Sequence, residues 1–197
     1  MAIKKSSVRL NGLRSINQRN KTSASVGTMN TQKSTAYLDI ETNSNASRIW
    51  CCCTLEEGAE DVLVWTDAEA FNRYIAGAGA VVAHNGIGFD YKHLIHHWGW
   101  DSSSIKLVDT LVLSRLANPV REGGHSLKNW GAKLGYPKDE FSDWDAGLTE
   151  EMISYCKQDV RVLQRVFHTL KAELEGFSKE AIDRKSTRLN SSHTDIS

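Results

Sequence analysis

The sequence predicts an α/β domain in which a mixed five-stranded sheet is flanked by helices. Two observations support this class: three short β-rich segments come first, and later apolar strands alternate with segments of helical spacing. The length of 197 residues suits one domain with a substantial core. Hydrophobic residues make up 40% of the chain and charged residues 24%, which is ordinary for a globular protein.

The first elements are expected as an antiparallel meander followed by a helix. Turn residues separate the three β-rich segments, which read "AYLDIET", "RIWCCCTL" and "DVLVWT". The next segment, "DAEAFNRYIAG", has helical spacing, with Asp67 as its N-cap and Gly77 as its stop.

The later elements alternate between strand and helix. A fourth strand is expected in "AVVAHN" and a helix in "FDYKHLIHHWGW"; "IKLVDTLVLSRLA" is a strand that runs into a helix. A further helix, "HSLKNWGAKLG", ends at Gly135. The clearest helix is "TEEMISYCKQDVRVLQRVFHTLKAELEG", because Thr149 can cap it, acids occupy its first turn and the helical period is sustained.

The formal net charge of zero hides an uneven distribution. Residues 1–36 contain seven Lys/Arg and no acid, whereas residues 37–182 contain 14 Lys/Arg and 22 Asp/Glu. An acidic body is a poor general nucleic-acid binder but suits a site that collects divalent cations. We interpret residues 1–35 as a basic, disordered extension. A transit peptide, or an upstream extension with Met29 as the natural start, fits the same composition.

The tail, residues 183–197, breaks the preceding pattern abruptly. Its stretch "DRKSTRLNSSH" resembles one reading frame of a widely used sequencing-library adapter. We interpret it as an artefact that has no part in the function; an ordinary polar tail is the alternative interpretation. The functional domain is therefore expected at residues 36–182. No apolar run approaches the roughly 18 residues that a membrane span needs, and no secretory signal is recognisable, so a cytoplasmic protein without a membrane partner is expected.

Four cysteines give little information by themselves. Cys51, Cys52 and Cys53 are adjacent, and Cys156 is distant in sequence. Adjacent cysteines do not match the paired spacing of a zinc site. They are most simply small strand residues, and reduced thiols fit the cytoplasm.

Two acids on the first strand are the first candidate site residues. Asp39 and Glu41 are two apart and point to one face of the strand, while Leu38 and Ile40 point to the other. Two like charges this close raise each other's pKa unless a cation lies between them. A hard divalent ion such as Mg²⁺ or Mn²⁺ suits such a pair.

Two further stretches place acids where sites are built. In "AHNGIGFD", Asp90 opens a helix just after a strand end, although a plain N-cap is an alternative role. In "YCKQD", Tyr155 and Asp159 are four apart and share one helix face, although a buried tyrosine beside a paired acid is an alternative interpretation.

Together these stretches resemble a known family. The order D-x-E, N-x-x-x-F-D and Y-x-x-x-D is similar to the three motifs of the tyrosine branch (DEDDy) of the DEDD exonuclease superfamily. The stretches "VDTLVLSRLANP", "GGHSLKNWGAKLG" and "YCKQDVRVL" resemble the 3′–5′ proofreading domain of family A DNA polymerases from short-tailed bacteriophages. The likeness covers most of residues 36–175 and implies a ribonuclease H-like fold. The segment between Gly135 and Thr149 looks short for that family.

The resemblance implies a two-metal site. Asp39 would bridge two Mg²⁺ (or Mn²⁺) ions, Glu41 and Asp159 would complete the first, and Asp90 would support the second. Tyr155 would orient the attacking water, because a phenol of pKa about 10 is a poor base at neutral pH.

The resemblance also implies a substrate and a context. Asn85 and Phe89 would contact the terminal nucleotide of a single-stranded DNA 3′ end, with His125 and Ser126 as weaker candidates. His84 and Asp109 are expected to be structural. The domain would be the monomeric proofreading part of a truncated phage polymerase in an infected bacterium, its covalently linked polymerase domain absent. Two alternatives are a stand-alone DEDDy exonuclease of DNA repair or RNA maturation, and a catalytically silent DNA-binding scaffold, against which the presence of all four carboxylates argues.

Overall fold

The computed structural model describes residues 34–137 and 141–191, with side chains as far as residue 176. The predicted disordered extension, up to residue 33, and the last six residues of the tail lie outside the described residues. Within the described part, none of the helices has both the length and the apolar character that a bilayer span requires.

A five-stranded mixed sheet forms the centre of the domain, as the sequence predicts. The strand order is β3-β2-β1-β4-β5, with antiparallel pairing on the β3-β2-β1 side and parallel pairing between β1, β4 and β5. The central strand is therefore the one that carries the D-x-E motif. The bounds are β1 Thr35–Thr42, β2 Ile49–Glu56, β3 Leu63–Trp65, β4 Ala80–Ala83 and β5 Lys106–Asp109.

Five helices flank this sheet among the described residues. Two of the expected caps are present: Asp67 accepts a hydrogen bond from the Ala70 N–H at 2.8 Å, and the Thr149 hydroxyl accepts one from the Met152 N–H at 3.1 Å. The last helix continues beyond residue 182, which the sequence predicts as the end of the domain. The bounds are α1 Ala68–Ile75, α2 Asp90–Trp98, α3 Thr110–Ala117, α4 Leu127–Lys133 and α5 Glu150–Ser191.

Side-chain alternation along β1 and β2 divides the core into two clusters. Leu38 and Ile40 pack on one face with residues of α1 and α2, whereas Tyr37 packs on the other with residues of α3, α4 and α5. Since side chains two apart share a face, Asp39 and Glu41 lie on the α5 side of the sheet. The carboxyl-terminal half of β1 is thus anchored by apolar residues on one face, while its acids face α5 on the other.

Candidate active site

The acids of the D-x-E motif lie at the carboxyl end of the central strand. Glu41 is 5% exposed and Asp39 is half-buried. One donor oxygen from each lies within 4.8 Å of the other. The parallel strand β4 ends at the same edge of the sheet, which is where α/β proteins commonly build ligand sites.

Asp90 is brought to these acids by the start of α2. The N-cap of α2 is Phe89, which makes no side-chain capping bond, so the interpretation of Asp90 as a plain N-cap is wrong. Instead, Asp90 Oδ1 accepts a hydrogen bond from the Ile40 N–H at 3.1 Å. This bond fixes a buried carboxylate of α2 against the β1 backbone at Ile40, the residue between the two motif acids in the sequence.

The clustering of acids makes ionisation of Asp90 unfavourable. Burial, with a smaller contribution from the neighbouring Asp109 and Asp159, raises the pKa of Asp90 to about 7, although the hydrogen bond from the Ile40 N–H opposes the shift. Several hard oxygen donors with mutually unfavourable charge are the donor set that Mg²⁺ or Mn²⁺ prefers. The residues present therefore fit the divalent ions that the resemblance implies.

The last helix supplies the remaining motif residues. Asp159 is 3% exposed, and Tyr155 lies one turn earlier on α5. The Tyr155 ring packs against Phe141 and Trp144, with centroid distances of 5.9 and 5.8 Å. These contacts hold the Tyr155 ring in the wall of a cleft above the acids.

One cleft collects seven of the nine candidate site residues that the sequence predicts. His125 and Ser126, the two weaker candidates, do not line it. The cleft also includes His84, whose Nδ1 lies 2.9 Å from the Thr110 hydroxyl oxygen. The lining residues are Asp39, Ile40, Glu41, His84, Asn85, Phe89, Asp90, Trp144, Tyr155 and Asp159.

Asp109 organises the turn that carries the second motif. Its carboxylate accepts hydrogen bonds from the Asn85 N–H at 3.0 Å and the Ile87 N–H at 3.1 Å, and it also caps α3. Asn85 adopts a left-handed backbone conformation (φ 63°), which asparagine tolerates well. Gly86 allows close packing, since a Cβ there would lie 2.6 Å from the Tyr91 ring. Asp109 therefore has the structural role expected for it.

His125 and Ser126 lie elsewhere. His125 Nδ1 is 2.8 Å from the Ser114 hydroxyl oxygen on α3, and its Nε2 is 3.4 Å from the Pro119 carbonyl oxygen. Ser126 caps α4 by accepting a hydrogen bond from the Asn129 N–H at 3.2 Å. The structure does not bring either residue together with the carboxylates.

Trp144 is a cleft residue that the sequence did not indicate. Its carbonyl accepts a hydrogen bond from Trp50 Nε1 at 2.9 Å, and the next residue, Asp145, accepts one from the Ser44 N–H at 3.1 Å. These bonds dock the segment before α5 onto the turn that follows β1 and onto the start of β2. Trp144 and Phe89 also line a groove that continues from the cleft along residues 40–44.

Comparison with known proteins supports the fold. No family model matches the sequence, and no curated protein matches it. Among solved structures, NrnC from Brucella melitensis matches with a TM-score of 0.57 at 22% identity, over 76% of this chain and 78% of that chain. The apo form of a nuclease matches with a TM-score of 0.60, also at 22% identity, over 73% of this chain and 74% of that chain. These likenesses confirm the predicted ribonuclease H-like α/β fold.

Proposed function

We propose that the protein is a 3′–5′ exonuclease that removes nucleoside monophosphates from the 3′ ends of single-stranded DNA. The observation that carries this proposal is the meeting of four carboxylates and the Tyr155 ring in one cleft. The order of these residues along the chain is that of the DEDDy motifs. The similarity of the fold to that of a nuclease supports the same class of reaction.

The carboxylates would hold two divalent ions. Asp39, Glu41 and Asp159 would bind one, and Asp39 with Asp90 would bind the other. When bound, two such ions activate an attacking water and stabilise the leaving oxygen of an in-line displacement at phosphorus. The hydrogen bond from the Ile40 N–H to Asp90 presets one ligand, so less reorganisation is needed when the site is loaded.

Tyr155 would position the water rather than deprotonate it. A phenol hydroxyl keeps its proton at neutral pH, so it can donate or accept a hydrogen bond but is a poor base. Its contacts with Phe141 and Trp144 restrict the ring. The water oxygen forms a bond to phosphorus, and the bond to the O3′ of the preceding nucleotide breaks. That O3′ takes up a proton, and the released nucleotide carries the phosphate on its 5′ oxygen.

Binding of the strand would depend on aromatic stacking, because an acidic surface attracts DNA poorly. Phe89 and Trp144 flank the groove beside the carboxylates and offer faces on which a terminal base can stack. Asn85 is exposed at the cleft and carries amide donors for a sugar or phosphate. His125, which lies outside the cleft, would contact the strand only beyond the terminal nucleotide.

The activity could serve in either of two contexts. The motifs resemble the proofreading domain of a phage polymerase, which acts on a strand delivered by its own polymerase domain. A stand-alone exonuclease is the second candidate. The coverage of the matching structures favours it, since the matched region makes up 78% and 74% of those chains.

The test of the proposed function is a nuclease assay on the full chain. Single-stranded DNA labelled at the 5′ end should shorten stepwise from the 3′ end in Mg²⁺ but not in EDTA, with an RNA strand of the same sequence in parallel. The double variant Asp39→Ala/Glu41→Ala should lose this activity completely. Glu60→Ala/Asp61→Ala removes the same charge from exposed positions and should retain it. If the first double variant digests DNA as fast as the parent, the metal-site assignment is wrong.

A further inference from the structure

Three buried thiols meet behind the carboxylate cleft. Cys51 and Cys53 lie two apart on β2 and face α5, where Cys156 packs against them. The three sulfur atoms lie within 4.8 Å of one another, and all three residues are completely buried. Cys52, between the two strand cysteines, faces the opposite core. The fold thus brings Cys156, which is distant in sequence, to Cys51 and Cys53, and the three sulfur atoms form one cluster.

The thiols adjoin the motif acids directly. In the β1–β2 register, Asp39 pairs with Cys53 and Glu41 pairs with Cys51, so each acid shares a face with a thiol of the cluster. The Sγ atom of Cys156 lies 3.7 Å from Asp39 Oδ2. Donor atoms of Asp39, Glu41 and Cys156 also lie within 4.8 Å of one another. Cys156 and Asp39 therefore stand at the boundary between an oxygen-rich group and a sulfur-rich group.

We propose that Cys51, Cys53 and Cys156 form a binding site for a thiophilic divalent cation of the Zn²⁺ type, with Asp39 as the fourth ligand. Three sulfurs and one carboxylate match the number and softness of donors that tetrahedral Zn²⁺ takes in proteins, whereas Mg²⁺ prefers oxygen alone. Asp39 lines the cleft, so the carboxylate ligand lies on the side of the proposed site that faces solvent. The thiols bind as thiolates and release their protons to solvent.

Occupation of this site would inhibit the enzyme. This consequence rests on the proposed function, in which Asp39 bridges the two hard ions. An ion held by the thiols draws the Asp39 carboxylate toward the sulfurs, so the oxygen site and the sulfur site compete for one ligand. The thiol cluster would thus make hydrolysis sensitive to thiophilic cations even when Mg²⁺ is in excess.

The binding test uses Cd²⁺ as a probe on the full chain, reduced with a phosphine and freed of metal. The parent should show a thiolate-to-cadmium charge-transfer band in the ultraviolet that saturates at one Cd²⁺ per chain, whatever further Cd²⁺ the carboxylates take up. Cys51→Ala and Cys156→Ala should each weaken the band by about one third, since one of three thiolates is lost. Each should also weaken affinity by roughly tenfold or more, because even outer residues of a metal site cost that much. Cys52→Ala, a buried cysteine on the same strand but the other face, should change neither.

The outcomes separate this site from the proposed function. The thiol site is refuted if Cd²⁺ binds without the charge-transfer band. It is also refuted if both Cys51→Ala and Cys156→Ala leave the band intact, or if Cys52→Ala removes it. The two informative variants lie on different elements, so circular dichroism can identify one that fails to fold while the other is still measured. Zn²⁺ added to the Mg²⁺ reaction should inhibit the parent and Cys52→Ala more strongly than Cys51→Ala, and equal inhibition overturns the competition for Asp39. A parent that shows the band but never digests DNA refutes the exonuclease and leaves the cation site standing.

Discussion

The two ends of the central strand hold acids in opposite electrostatic situations. At the amino end, Tyr37 donates a hydrogen bond to Glu57, and His168 Nε2 lies 3.1 Å from the same carboxylate oxygen. Burial opposes ionisation there, but hydrogen bonds from Tyr37 and His168 outweigh it and lower the pKa of Glu57. At the carboxyl end, burial and the neighbouring acids Asp109 and Asp159 raise the pKa of Asp90 to about 7.

This contrast separates a structural acid from a candidate functional one. Glu57 has donors supplied by the fold, so its charge stabilises the docking of α5 on the sheet. Asp90 accepts hydrogen bonds from backbone N–H groups only, that of Ile40 among them, while its charged neighbours are of the same sign. An arrangement that costs stability in the metal-free protein is typical of a site that a ligand completes.

The largest expected difference comes from neutralising one acid at each end. Asp90→Asn keeps the shape and an acceptor for the Ile40 N–H but removes a metal ligand, so Mg²⁺-dependent digestion should fall by at least about 100-fold, the upper range for loss of supporting residues around a metal. Glu57→Gln should leave the rate of digestion within about twofold of the parent rate, since Glu57 lies at the other end of the strand. The ion pair that it forms with His168 is exposed, and exposed ion pairs contribute little to stability. Initial rates on labelled single-stranded DNA measure both. Equal losses in the two variants would show that the contrast between the acids has no functional meaning.

A smaller contrast comes from removing one hydroxyl at each end. Tyr155→Phe should slow digestion by roughly tenfold to a hundredfold, because the hydroxyl only orients water. A residue that transfers a proton typically contributes about a hundredfold or more to the rate. Its affinity for Mg²⁺ should be nearly unchanged. Tyr37→Phe removes the donor to Glu57 and should lower the free energy of unfolding by about 1 kcal/mol while the rate is preserved.

Saturation curves with Mg²⁺ and thermal unfolding distinguish the two hydroxyls. A large loss of metal affinity in Tyr155→Phe would assign the phenol a role as ligand or ligand support. Loss of activity in Tyr37→Phe at unchanged thermal stability would contradict the structural role of the amino-end cluster.

Local patterns in the sequence were sufficient to predict the strand and helix that carry the main acids. The two-residue spacing of Asp39 and Glu41 fixes their common face, and the four-residue spacing of Tyr155 and Asp159 does the same on α5. These spacings depend only on backbone geometry. The fold class follows from the alternation of elements, whereas the strand order β3-β2-β1-β4-β5 is known only from the structure.

Contacts between distant segments could not be predicted from those patterns. Asp90 was placed at a helix start, but its bond to the Ile40 N–H depends on how α2 meets β1. Trp144 reaches the cleft through its hydrogen bond with Trp50, 94 residues away. The approach of Cys156 to the strand cysteines depends on the packing of α5 against β2. Register and packing of this kind are set by tertiary structure, for which a short motif carries no signal.

The smallest expected effect is a pH dependence that differs between the two ends in the metal-free protein. The ordinary pKa of an aspartate is 3.8 and that of Asp90 in the folded protein is about 7. Between these values the folded protein keeps a proton that the unfolded chain has released, so the free energy of unfolding falls as pH rises through this window and then levels off. Glu57 acts in the opposite direction and at lower pH: its folded pKa lies below the ordinary 4.5, so its contribution is already complete above about pH 5.

Melting temperatures in EDTA from pH 5 to pH 8 should therefore fall more for the parent than for Asp90→Asn, by a few degrees, since 1 kcal/mol corresponds to about 2–4 °C in a domain of this size. Glu57→Gln should follow the slope of the parent. Saturating Mg²⁺ should raise the melting temperature at pH 8 more in the parent than in Asp90→Asn, because in the parent a second ion replaces the proton on the Asp90 carboxylate. Parallel profiles for the parent and Asp90→Asn would show that the proton is held elsewhere in the acid cluster.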